Sequence, residues 1–326
     1  MAEFIHSILE PNALVAADGD EVIDLPVNPL SLVLIHISPL NETATIGNYR
    51  LLEALLGAIA NVEIAHRGSS VINASGVDLA AMAVLYHRAQ IWQSNAVETN
   101  NDRRSIVLPI FLSKRAFMLD ECFPATRRGE LQLTVTWNIA ETGFDGLRRS
   151  IETIELPEAT PTNVQKVTTL STTFGATGQQ DVDIPIGNFL RGLLLFGTTG
   201  FAGATPVPSW GEVEFFVNNR QRAFTGTDFE VLRTLAGLGG VPFPPAGRHI
   251  HSGTYVTTVA GDSREPEIGA ELTDNYALMD LDPTRDDEFG VETDGASRVH
   301  VRATAETADA VRVLPIERVP VDRFLT

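Results

Sequence analysis

His249-Ile250-His251 is the pair in this chain whose type and spacing suggest chemistry. On an extended strand, residues two apart project to the same side, and two neutral imidazoles on one side can share a divalent ion. Completing such a site takes an acid a few residues on and a third histidine from a later strand. The stretch Gly253 to Val256 contains no acid, and His300 is the later histidine available. The corresponding place in the first half of the chain carries no such pair. The two histidines therefore read as loop or edge-strand residues, and the expectation is no metal, no cofactor and no catalytic residue. Cys122 is the single cysteine, which excludes an internal disulfide and a cysteine-based zinc cluster. There is no G-x-x-x-x-G-K-[ST] phosphate loop, no G-x-S-x-G nucleophile elbow and no H-E-x-x-H zinc helix.

The balance of charge narrows the partners. The chain of 326 residues has a formal net charge of −18, and its basic residues are 22 Arg and two Lys. Such a chain repels a phosphate backbone, so direct nucleic-acid binding is not expected. Arg103-Arg104, Arg127-Arg128 and Arg148-Arg149 read as scattered, solvated arginines. At 44% hydrophobic residues the chain can build packed cores. Its length suits two domains better than one. No apolar run is long enough to cross a membrane as a helix, and residues 1–19 lack the pattern of a secretion signal.

Most of the framework that would position any site reads as β-strand. Leu30 to Ser38 is a dense aliphatic run, and Arg104 to Ser113 and Glu130 to Trp137 alternate apolar with polar. Further strands are expected at Val164 to Thr173, Glu212 to Asn218, Gly253 to Val259, Tyr276 to Leu281, Arg298 to Ala303 and Val311 to Ile316. Gly, Pro, Asn and Asp separate them, as in sandwiches and barrels.

The chain also repeats itself. Ile46-Gly47-Asn48-Tyr49 returns as Ile186-Gly187-Asn188-Phe189, each followed ten residues after its glycine by another, Gly57 and Gly197. Val62-Glu63 returns as Val213-Glu214, Ser75-Gly76-Val77-Asp78 as Thr225-Gly226-Thr227-Asp228, Ala140-Glu141-Thr142 as Ala305-Glu306-Thr307, and Ile151-Glu152 as Ile316-Glu317. The order is the same in both halves, which implies two tandem copies of one domain. The expected division is an N-terminal arm at 1–19, a first domain at 20–156, a Pro-containing linker at 157–162 and a second domain at 163–326. Thr198 to Trp210 and Gly237 to Gly247 read as long loops of the second copy.

One helix is expected in each copy. Leu79, Met82, Ala83, Tyr86 and Ala89 fall at helical spacing, as do Phe229, Leu232, Leu235 and Ala236, with a stop at Gly239-Gly240. Ser75 and Thr225 are placed as N-caps, with Asp78 and Asp228 three residues on, where a carboxylate favours the helix start. These four are structural residues rather than a site. In the arm, Phe4, Ile5, Ile8 and Leu9 form a short apolar stripe at helical spacing, either an inward foot touching a membrane or neighbouring subunit, or a tail packed on its own domain.

The paired copies, each with strands, one helix and a closing strand, resemble the double jelly-roll major capsid proteins of tailless icosahedral viruses. This is the adenovirus-like lineage, which includes membrane-containing phages. The residues carrying the resemblance are Phe189 to Phe196, Val213 to Val217 with its Asn218-Asn219 turn, the helix after Thr227, and Tyr276 to Asp282 followed by Val299 to Val319. It implies an all-β fold of two tandem eight-stranded jelly-roll barrels, each with a short accessory helix. It implies a non-enzymatic role in a virion, with assembly in the host cytoplasm. The implied partners are two further copies in a pseudo-hexagonal homotrimer, neighbouring capsomers, penton and minor capsid proteins, and an internal membrane, with no direct nucleic acid. Two alternatives stand beside it. A bicupin-type metalloenzyme needs ligands inside a barrel. A sugar-binding β-sandwich or spike needs an exposed aromatic platform from Trp92, Trp137 or Trp210.

Overall fold

A computed structural model of the protein describes residues 3–15, 17–41, 52–89, 91, 103, 105–139, 144–198, 209–238 and 275–325. These residues group into two compact units. Unit 1 takes the chain up to Lys166 and again from Val319, and unit 2 takes the described residues between Val167 and Arg318.

Unit 1 holds β1 (Ile5–Val15), β2 (Gly19–Asp24), β3 (Leu30–Asn41), α1 (Leu52–Gly57), β4 (Ile59–His66), β5 (Ser69–Ala74), α2 (Gly76–Leu85), β6 (Ile106–Phe111), β7 (Leu131–Trp137) and β8 (Phe144–Glu155). Strand β9 (Asn163–Thr168) spans the division. Unit 2 continues with β10 (Leu170–Thr173), β11 (Gly178–Ile184), β12 (Phe189–Gly197), β13 (Trp210–Val217), β14 (Arg220–Asp228), α3 (Phe229–Leu238), β15 (Tyr276–Asp280), β16 (Val291–Glu292), β17 (Val299–Ala305) and β18 (Ala310–Pro320). The short α4 (Asp322–Leu325) follows.

The hydrogen-bond order is the same in both units. Unit 1 pairs β1-β8-β3-β6 in one sheet and β5-β4-β7-β2 in the other. Unit 2 pairs β10-β18-β12-β15 and β14-β13-β17-β11, all antiparallel. Strand for strand these correspond, β1 to β10, β3 to β12, β7 to β17 and β8 to β18. This is the eight-stranded jelly-roll order, made twice. In both, a hairpin leads into a helix, β4-β5-α2 and β13-β14-α3. Both hairpins turn through two left-handed residues, Arg67-Gly68 and Asn218-Asn219, the conformation whose twist matches that of paired strands.

Alternation places the cores. In β7 the residues Leu131, Leu133, Val135 and Trp137 point inward, and in β17 Val299, Val301, Ala303 and Ala305 do so. Each interior strand of a sheet buries nearly every side chain on its inner face. β12, apolar except at Arg191, is buried on both faces, as is β18 from Val313 to Glu317.

The repeat matches separate on inspection. Val62 and Val213 lie in the equivalent strands β4 and β13, and Ile151 and Ile316 in β8 and β18. Gly57 and Gly197 do not correspond, since Gly57 ends a helix and Gly197 ends a strand. Gly47 lies outside the described residues. It follows β3 in the chain, whereas Gly187 precedes β12, the counterpart of β3, so that match is a coincidence of composition.

The first sequence expectation to be corrected is the arm. Residues Ile5–Val15 form a strand, not a helical stripe, and pair with β8 from Ile5–Glu155 to Val15–Leu147. Leu9 is the extra residue of a bulge, and Pro11 and Asn12 form a second irregularity. The near-helical spacing of Phe4, Ile5, Ile8 and Leu9 arises from that bulge, which resets the alternation. Residues 1–15 are therefore a sheet strand of unit 1, and their removal unpairs β8 rather than trimming a tail.

Candidate functional site

The helix-start residues divide between the two copies. Ser75 caps α2, its Oγ accepting the Asp78 backbone N–H at 3.1 Å. Asp78 is buried in the first turn. In unit 2 the sequence reading places the cap at Thr225, but Thr225 lies within β14, opposite Glu214, and α3 begins four residues later at Phe229. Asp228 is the residue that immediately precedes this helix. The shift comes from Gly226, which sits at φ +102 as the extra residue between the Glu214–Thr225 and Val213–Thr227 pairs. A Cβ there would also collide with the Glu212 carboxylate. At the equivalent Gly76 the constraint is packing, since a Cβ would stand 2.7 Å from the Ile59 Cβ. Ser75→Ala is expected to cost about 0.5–2 kcal/mol, and Thr225→Ala much less, both read as shifts in urea midpoint.

The helices also differ in their faces. α2 buries Leu79, Met82, Ala83 and the following Tyr86. α3 buries Phe229, Leu232 and Ala236 but leaves Leu235 46% and Val231 45% exposed, so Leu235 is not a core residue.

Of the three metal candidates, the described residues include one. His249 and His251 lie outside the described residues. His300 is described, and it points away from the barrel interior, because its neighbours Val299 and Val301 on β17 fill the core. Among the described residues no group of three His, Cys, Asp or Glu side chains could hold a metal ion. Cys122 is buried against Leu156 and Ala159. Burial first, and then the charge of Glu121, pushes its thiol up to about 12, so it is an inert core residue.

Two of the three tryptophans are inside. Trp137 donates its indole N–H to Glu21 at 3.0 Å, and Trp210, expected at the end of a loop, is instead the first residue of β13 and is fully buried. Neither forms the exposed platform that sugar binding requires. Trp92 lies outside the described residues.

Sequence reasoning missed two buried ionic clusters. Arg149 of β8, expected as a solvated arginine, is 5% exposed and donates from Nε to Glu21 at 2.7 Å, with Glu10 at 3.6 Å. These three side chains tie β1, β2 and β8 together across the two sheets. In unit 2, Arg191 of β12 is fully buried and grips Asp287 with two parallel bonds, Nε–Oδ1 at 2.6 Å and Nη2–Oδ2 at 3.0 Å. Arg318 adds a third at 3.0 Å. The loop around Asp287 is folded on itself: Asp282 Oδ1 accepts the Asp287 N–H at 3.0 Å, and Arg285 donates to Asp280 at 2.7 Å. Burial, and then the charge of Asp287, pushes the Asp282 carboxyl up. A basic residue inside an apolar run, as in Phe189 to Phe196, is the signal that such a pair exists, but its acidic partner lies far along the chain.

Some large apolar side chains remain exposed in unit 1. Phe4 is 59% exposed and meets the half-exposed Phe117 edge to face, with centroids 5.3 Å apart. Ile8 and Leu14 are exposed along β1, which is an edge strand of its sheet. An edge strand with exposed apolar side chains is a place where other chains can dock.

A chain with these two units has the double jelly-roll fold. It is similar over almost its whole length to a chain in the atomic structure of Sulfolobus Turreted Icosahedral Virus, with a TM-score of 0.69 and 13% identity, covering 99% of this chain and 97% of that one. It is similar to the major capsid protein P2 from bacteriophage PM2, with a TM-score of 0.62 and 12% identity, each chain covered to 97%. It is also similar to the PBCV-1 virus capsid, with a TM-score of 0.63 and 9% identity, covering 98% and 94%. No protein-family model and no curated protein sequence matches the chain.

Proposed function

We propose that this protein is a major capsid protein that builds an icosahedral virus shell, its work being assembly rather than catalysis. The observation that carries the reading is the complete double jelly roll, matched end to end by capsid chains of similar length. Two barrels per chain and three chains per capsomer give six barrels on a near-hexagonal footprint, a shape that tiles a flat facet. The capsomer then meets neighbouring capsomers and the penton and minor proteins that close a shell. The charge of −18 supports a lining, either membrane or basic protein, between shell and genome.

Light scattering on the purified chain tests the core of this. The expected species is a trimer of three 35.3 kDa chains, more strongly associated as added salt screens the acidic subunits from one another. A monomer that persists across concentration and salt sinks the proposal. Metal analysis separates it from the bicupin alternative, which requires a stoichiometric ion.

A further inference from the structure

We propose that His300 is a proton-operated catch, which keeps an ion-pair ladder on the outer face of the β11-β17-β13-β14 sheet closed at neutral pH and lets it open in mild acid. This inference concerns unit 2 alone and stands whether or not the chain builds a shell.

The geometry is unusual for a side chain that points out of a barrel. His300 lies opposite Asp183 of β11 and Phe216 of β13. Its ring stacks flat on that of Phe216, with centroids 4.8 Å apart and planes 1° from parallel. Its neighbours on the same face of β17 are Arg298 and Arg302. Both reach over to β11. Arg298 donates to Asp183 at 2.6 Å and to Asp181 at 3.3 Å, and Arg302 donates to Asp181 at 2.8 Å and 3.2 Å. The other charge facing this group from β13 is Glu214, which lies opposite Arg302 and bonds Gln221 of β14. Beneath this roof His300 is 1% exposed, and neither of its ring nitrogens has a hydrogen-bond partner among the described residues. Nε2 stops 3.8 Å from Asp181 Oδ2, a carboxylate already taken by two arginines.

An imidazole in that position is a poor home for a proton. Burial first, then the Arg298 charge, holds His300 below the ordinary histidine range, and Asp181 pulls the other way less strongly. With the ladder open, the same imidazole is in water and protonates near its usual value of about 6.5. Protons therefore bind the open form better. Because the closed-state value is lowered, the closed ladder has its full stability above about pH 6.5 and loses it as pH falls below that. Asp181 does not pre-empt the histidine, since the hydrogen bond from Arg302 holds its carboxyl below the usual carboxylate range. At pH 5 the open form gains by at most about thirtyfold, the limit set by one group with an open-state value near 6.5.

Hydrogen exchange on the full chain, followed by mass spectrometry at pH 7.5 and pH 5 and corrected for intrinsic rates, tests this. The expected result is an opening equilibrium in β11 and β17 peptides that rises on acidification by up to about thirtyfold more than in β3 and β8 of unit 1. In His300→Phe, which keeps a flat ring on Phe216 but takes no proton, the excess should vanish; His300→Gln is a second, polar replacement. An excess that persists in either folded variant overturns the proposal. If neither variant folds, the wild-type comparison decides alone: no excess in β11 and β17 over β3 and β8 overturns it.

Discussion

Asp287→Ala is expected to destabilise unit 2 by about 3–5 kcal/mol, the cost of removing one partner of a buried ion pair. Arg191 is fully buried, and its bidentate bond to Asp287 supplies both geometry and charge. Alanine withdraws both oxygens at once, and with them the bond to Arg318. It also places a Cβ-bearing residue with no local hydrogen-bonding side chain at φ +66, where Asp is better tolerated. Asp287→Asn separates the two effects, since it keeps the shape and the backbone preference and loses only the charge. Arg191→Met introduced into the alanine variant should restore part of the loss, because a buried pair replaced by apolar groups is far less costly than half a pair. Urea unfolding read on unit 2 checks all three. A loss below about 1 kcal/mol for Asp287→Ala would show that Arg191 is solvated or neutralised by other groups.

Trp210→Ala should be of similar size, about 3–5 kcal/mol. The indole is fully buried at the start of β13, packs edge to face on Phe174 with centroids 5.0 Å apart, and donates to the Phe196 carbonyl at 2.9 Å. The site has little freedom to collapse. Around it, Gly197 is so close to Ser209 that a Cβ would stand 2.6 Å from the hydroxyl, which marks backbone already in close approach. Trp210→Phe should cost less, as it keeps most of the apolar volume and gives up the donor. If alanine proves nearly neutral, the residue sits at a surface and the expected loop reading of Thr198 to Trp210 was right after all.

What the sequence made legible was the part of the fold set by dense apolar alternation. The long strands at Leu30, Leu131, Val299 and Val311 carry their burial in their pattern, and the duplication showed in the hairpin-to-helix junction and in the closing strand. Strands β11 and β14 carry little such signal, because GQQDVDI and RQRAFTGTD are largely polar, half-exposed segments. Their pairing is fixed by β17 and β13, not by their own composition. β1 was misread because a bulge breaks the period of two on which strand recognition depends. Ser75 was readable as a cap, since the capping signal is local. Thr225 was not, because one left-handed glycine moved the start of α3 without leaving a mark in the local residue types. The ionic clusters were half hidden for a different reason: Arg191 stands out in its apolar run, but its acidic partner does not. Arg191 and Asp287 are joined only in three dimensions, and nothing near either one announces the other.

The return of the chain to unit 1 bears on how the protein is made. Val319 and the residues up to Leu325 belong with unit 1, where Phe324 packs on Phe123 and the Val321 N–H bonds the Thr162 carbonyl. A ribosome delivers all of unit 2 before it delivers these residues. Until they emerge, the face of unit 1 around Phe123 lacks this cover. The late segment acts as a seal applied after unit 2 has been made. The first unit reaches its mature packing only on chains that have already passed through the second.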